Sequence, residues 1–128
     1  MRSLIIDDSK VLRSALCSIV HSLDFEVEVA EDGREGLDFF NASHKENNPF
    51  ELIFLDLDMP NMRGEQTLHA IRSYEDNLGV KNVKVIIVSA NTDSMKILEL
   101  FKIGCEYYIK KPFLGEDVDR AIRFLKLY

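Results

Sequence analysis

The patterning of the chain predicts an α/β fold, a parallel sheet covered by helices on both faces. Three observations carry that prediction. Short apolar runs alternate with longer segments of helical period along the 128 residues. Acids, a hydroxyl and paired lysines follow those runs directly, where open α/β sheets bind their ligands. The composition, 46% hydrophobic and 30% charged, belongs to a globular chain that buries roughly two-thirds of its unfolded surface as one domain.

Each element has its own signature. The first apolar run, residues 3–6, precedes a helix expected over 9–23, in which Leu12, Leu16, Ile19, Val20 and Leu23 form one stripe. A second strand at 26–30 leads to a helix at 33–43 with Leu37, Phe39 and Phe40, closed by the polar loop 44–49. The third strand, 52–55, is followed by a helix at 64–77 carrying Leu68, Ile71 and Tyr74. A fourth strand at 83–89 leads to a helix at 93–103 that stops at Gly104, a residue suited to a left-handed helix end. The fifth strand, 106–110, precedes a helix at 115–127 with Val118, Ala121, Ile122 and Leu125 on one face. Right-handed crossovers put a helix over the sheet after each strand, which makes the sheet parallel and covers both its faces.

Composition narrows function. With 16 basic against 22 acidic residues and a formal charge of −6, the chain offers no electrostatic footprint for a phosphate backbone, so direct nucleic-acid binding is not expected. No apolar run approaches the roughly 20 residues of a membrane span. Leu4-Ile5-Ile6 is too short for the core of a signal peptide. The expected setting is the cytoplasm, with one domain over 1–128 and no attached output domain. Cys17 and Cys105 lie far apart in apolar surroundings with no CxxC pair, and are expected to be reduced, inert thiols.

The chemistry-bearing residues sit at strand ends. Strand one ends in Asp7-Asp8, strand three in Asp56 followed by Leu57-Asp58-Met59-Pro60, strand four in Ser89-Ala90, and strand five in Lys110-Lys111-Pro112-Phe113. Taken singly, Asp8 reads equally as a helix N-cap and Asp56 as a loop acid. Taken together, three acids at the ends of neighbouring strands repel one another unless a cation or protons intervene. Magnesium meets that need, accepting carboxylate and carbonyl oxygens while keeping positions for water or phosphate oxygens. A serine hydroxyl and a lysine ammonium then suit a bound anion, and phosphoryl transfer to a carboxylate is the chemistry such a set supports. Successive strand residues face opposite ways, so only one of Lys110 and Lys111 can serve the site.

These residues resemble the receiver domains of two-component response regulators, particularly the single-domain chemotaxis type. The resemblance covers nearly the whole chain. It rests on Asp7-Asp8 after an apolar strand, the run Ile53-Phe54-Leu55-Asp56-Leu57-Asp58-Met59-Pro60 with Gly64 beyond it, Ser89-Ala90, and Lys111-Pro112-Phe113. It implies a doubly wound, flavodoxin-like sheet of order 2-1-3-4-5 flanked by five helices. It further implies that Asp56 is the phosphoacceptor. Asp8, Asp56 and the backbone carbonyl of Asp58 would hold magnesium, with Asp7 acting mainly through metal-bound water. Ser89 would hydrogen-bond the phosphoryl oxygens and Lys111 would neutralise one of them, while Lys110 faces solvent and the bond before Pro112 is cis. Ser89 and Tyr108 would form the switch, although Tyr108 also reads as an ordinary edge-strand aromatic. Asp58 and Asn91 would flank the phosphoryl group and influence its hydrolysis.

The implied partners are a sensor histidine kinase or histidine phosphotransfer protein, met by Ser9, Val11 and Pro112, and a downstream protein met by helix four, strand five and helix five. The chain would be a monomer or a phosphorylation-dependent dimer. Helix four carries Met95, Ile97, Leu98, Leu100, Phe101 and Ile103, more apolar positions than one buried stripe uses. That excess fits an outward-facing set or an unusually deep helix. Among rivals, a haloacid-dehalogenase-like phosphatase would use Asp56 as nucleophile in Asp56-Leu57-Asp58, but there the acid pair would not come first and a cap would need room. A flavodoxin-like electron carrier would need a hydroxyl-rich phosphate loop where Asp7-Asp8 stands. A scaffold without phosphorylation has no use for the full set of acids, serine and lysine. The expectation is therefore a signalling phosphoacceptor rather than a turnover enzyme.

Overall fold

The computed structural model describes residues 1–127. Its elements alternate as β1 (Arg2–Ile6), α1 (Lys10–Ser22), β2 (Glu26–Ala30), α2 (Gly33–Lys45), β3 (Leu52–Asp56), α3 (Gly64–Leu78), β4 (Lys84–Ser89), α4 (Ser94–Ile103), β5 (Tyr107–Lys110) and α5 (Gly115–Phe124). The strands form one five-stranded sheet in the order β2-β1-β3-β4-β5, every neighbouring pair parallel. This is the expected fold.

Side-chain alternation along the strands builds two cores. Leu4, Ile6, Ile53, Leu55, Val85 and Ile87 pack with Phe40, Leu68, Ile71 and Leu100, buried apolar side chains of α2, α3 and α4. Ile5, Phe54, Ile86, Val88 and Ile109 pack on the other face with Leu16, Val20, Val118, Ala121 and Ile122 of α1 and α5. Near-continuous burial of β1, β3 and β4 follows from this two-sided covering and explains why their sequences read as unbroken apolar runs.

The boundaries move for local reasons. α1 is capped by Ser9, whose hydroxyl accepts from the Leu12 N–H at 3.3 Å; Asp8 is therefore not the cap and remains available to the site. β4 starts at Lys84 because the Val83 N–H is taken by the Glu75 carboxylate at 2.6 Å and not by a neighbouring strand. α5 ends at Phe124, where Leu125 caps it and Lys126 turns to φ 57°. Gly104 closes α4 at φ 128°, as its position suggested. Cys105 is buried, and burial followed by the Glu106 charge pushes its thiol up to about 11, an inert group at neutral pH. Cys17 lies at the edge of the α1 stripe and is only half-buried. No helix among the described residues is long and apolar enough to cross a membrane.

Candidate functional site

Parallel strands bring their carboxyl ends to one rim, and β1 and β3 are neighbours there. Asp7 and Asp8 follow β1 while Asp56 is the last residue of β3. One carboxylate oxygen from each of the three lies within 4.8 Å of the others. Asp7 and Asp56 are buried, Asp8 is exposed. The hard carboxylate donors suit magnesium, and a buried pair of acids with a third at the solvent boundary leaves an open side for water or substrate oxygens. The loop-acid reading of Asp56 is not what the fold contains, since the residue is in the strand.

Lys111 supplies the opposing charge. Its Nζ donates to Asp7 Oδ2 and to Asp56 Oδ1, both at 3.2 Å. Lys110 is exposed, and the Lys111-Pro112 bond is cis. Burial and the Asp7 charge push the Asp56 carboxyl up to about 6, and the Lys111 charge only partly offsets them. Burial opposes the charge on Lys111, but the Asp56 and Asp7 carboxylates outweigh it and raise its pKa. A carboxylate made reluctant to ionise beside a firmly charged ammonium is poised to accept a positively disposed centre, either a cation or an electrophilic phosphorus.

The other walls come from β4 and β5. Ser89 ends β4, fully buried, and its Oγ accepts from the Asn91 N–H at 3.1 Å. The Asn91 carbonyl in turn accepts from the Tyr108 hydroxyl at 2.5 Å. One residue thus joins the buried serine to Tyr108, which is half-buried against the α2–α3–α4 core. Tyr108 is more than an edge-strand aromatic: its hydroxyl holds the loop that leads into α4. Asp58 is exposed, and its backbone N–H bonds the Asp56 carboxylate. Gly64 opens α3 so close beneath this loop that a Cβ there would lie 2.5 Å from the Asp56 carbonyl oxygen.

Two contributions were not read from the sequence, one by a residue passed over and one by a residue named there for another role. Arg13 donates to the Asp7 carbonyl at 2.8 Å, fixing the backbone that presents the acid pair; on a polar helix face it looks like any solvated residue. The second is Asn91 as the link just described, which depends on a contact across 17 residues. The surface positions fall as expected. Val11 is 78% exposed, and Met95, Leu98 and Phe101 point outward from α4 at 73%, 50% and 42% while Leu100 is buried. The outward-facing reading of α4 therefore holds over the deep-helix one.

Comparison with known proteins gives a consistent result. The family described as response regulator receiver domain matches residues 3–123. Among curated proteins, hybrid signal transduction histidine kinase A of Dictyostelium discoideum is 28% identical over 87% of this chain, and transcription factor SKN7 of Chaetomium thermophilum is 29% identical over 95% of it. The chain spans only 5% and 15% of those two proteins. Among solved structures, Vibrio cholerae chemotaxis protein CheY4 aligns at a TM-score of 0.82 with 26% identity, covering 96% of each chain. A chain of the CheX-CheY-BeF3-magnesium complex from Borrelia burgdorferi aligns at 0.89 with 25% identity, covering 100% of this chain and 90% of that one.

Proposed function

The chain belongs to the response regulator receiver domain family, and from that premise we propose that Asp56 accepts a phosphoryl group from a phosphohistidine of a sensor kinase or phosphotransfer protein. A carboxylate oxygen of Asp56 attacks phosphorus, the P–N bond breaks, and the electron pair leaves on the imidazole nitrogen, which takes up a proton. The product is an acyl phosphate. The observation that carries this reading is the buried Asp56 carboxylate set between Lys111 and the Asp7–Asp8 pair. Lys111 meets negative charge gathering on the phosphoryl oxygens, and Ser89 donates its hydroxyl to one of them. Asp8, Asp56 and the Asp58 carbonyl would hold magnesium, with Asp7 supporting the site from beside them. When bound, magnesium supplies charge neutralisation and orients the phosphoryl oxygens.

Signalling follows from the Ser89–Asn91–Tyr108 connection. A phosphoryl oxygen that accepts from the Ser89 hydroxyl pulls Oγ towards itself and away from the Asn91 N–H, which loosens the β4–α4 loop to which Tyr108 is tied. The adjoining face of α4, β5 and α5 carries exposed Met95, Leu98, Phe101 and Phe124 and is the surface for a downstream protein. Ser9, Val11 and Pro112 form the patch for the phosphodonor. We assign the chain a chemotaxis-type role in the cytoplasm, the role supported by its likeness to the Vibrio chemotaxis protein over 96% of each chain. It is a phosphoacceptor that does not turn over phosphomonoesters.

The deciding experiment is incubation with acetyl phosphate and magnesium followed by intact-mass measurement. One phosphoryl increment is expected on the wild type and none on Asp56→Asn. No increment on the wild type, under conditions that label an established receiver, overturns the assignment, and many cycles of phosphomonoester hydrolysis per chain would favour the phosphatase reading instead.

A further inference from the structure

At the opposite pole of the sheet from the acidic cluster lies a cavity of about 440 Å³, inside the roughly 300–1,000 Å³ range of small-ligand sites. Its floor rests on the buried Phe50 and Val83, and the apolar surface open to a ligand comes from Pro49, Val80 and Leu127 around them. The floor is also rigid. The Val83 N–H donates to Glu75 Oε2 at 2.6 Å and its carbonyl accepts from Arg72 Nη1 at 2.9 Å, so the backbone beneath the cavity is held by charged groups from α3.

The rim has the opposite character. Lys81, Lys84 and Lys126 surround the opening, and among the described residues none of the three has an ion-pair partner. Glu51 is the single acid in the lining, and its Oε1 already accepts from the Arg2 N–H at 3.2 Å. In a chain of net charge −6, three unpaired cations around one apolar hollow make a local field opposite to that of the molecule as a whole.

We propose that this cavity binds a small amphipathic anion, with an apolar body against Pro49, Val80 and Leu127 and a carboxylate among Lys81, Lys84 and Lys126. The apolar walls supply area for burial and the lysines discriminate by charge. Nothing in this site is shared with the phosphoacceptor rim, so the two readings stand or fall separately.

The test is titration of the full isotope-labelled chain with 2-naphthoate, followed by amide chemical shifts. Saturable shifts are expected at residues 47–51 and 80–84. The matched cation 2-naphthylmethylammonium should bind about tenfold or more weakly, the carboxylate should lose affinity as salt is raised, and Lys81→Glu with Lys84→Glu should weaken it by a similar factor. Asp56→Asn should bind 2-naphthoate as the wild type does. No saturable shifts in those segments, or equal binding of the two naphthalene ions to the wild type, overturns the proposal. The second comparison decides even where the double variant folds poorly.

Discussion

A solvated aspartate loses its proton near pH 4, and Asp56, held by burial beside Asp7, keeps its own to about 6. An acid whose folded pKa exceeds its unfolded value stabilises only while protonated, so stability falls as pH rises from about 4 through 6. Asp56→Asn removes that cost. In metal-free buffer at pH 7.5 the variant should be more stable than wild type by about 1–3 kcal/mol in urea melts, with the gain roughly halved at pH 5. A difference that does not change with pH would place the effect elsewhere. Lys111 carries charge to the same carboxylate at 3.2 Å. Lys111→Ala should slow magnesium-dependent labelling by roughly 10²-fold, the scale for removing one preorganised electrostatic contact, while the protein remains folded by circular dichroism. Gly64→Ala tests the packing under the site. Its Cβ would lie 2.7 Å from the Leu57 Cα, and the backbone shift this forces should cost about 1–3 kcal/mol by denaturation and slow labelling as well.

Among the elements, legibility tracked how local the cause was. β1, β3 and β4 announced themselves because covering on both faces demands unbroken apolar runs, and α4 because Gly104 ends it. The acid pair, Asp56, Ser89 and Lys111 were legible because each ends or directly follows a strand, and the parallel sheet brings such positions together. What the sequence hid are long-range polar pairings. Arg72 donates to Glu75 at 2.7 Å, to Glu106 at 2.9 Å and to the Gly104 carbonyl, and Glu106 in turn accepts from the Val85 N–H at 2.7 Å. Arg72 and Glu75 at helical spacing resemble a surface pair, yet the Glu75 side chain is 0% exposed. Only contact across 34 residues with Glu106 reveals the difference. Removing the arginine leaves a buried charge without its partner, so Arg72→Met should cost about 3–5 kcal/mol by urea denaturation, and Arg72→Met with Glu75→Leu markedly less. On the outer face of the neighbouring α4, alanine at Met95, Leu98 and Phe101 should change stability by less than about 1 kcal/mol because these side chains are exposed. Partner binding should fall while labelling of Asp56 is spared.

Across the whole molecule, the ends of the sheet differ in kind. The carboxyl ends gather Asp7, Asp8 and Asp56, whose mutual repulsion a divalent cation relieves. Millimolar magnesium should therefore raise the melting temperature of the wild type and have little effect on Asp8→Ala, a comparison that calorimetry makes directly. The amino ends of β4 and β5 are instead pinned by the Arg72 cluster, which ties Val83, Val85 and Gly104 to α3. A strand fixed at one end and attached at the other through Ser89 and Tyr108 is mechanically a cantilever. Displacement of the loop at the free end meets least resistance there, while the anchored end stays still. The amides of Val83 and Val85 should accordingly be among the slowest to exchange with deuterium in both the resting and the phosphorylated protein, and those of residues 90–94 the ones whose exchange changes between them.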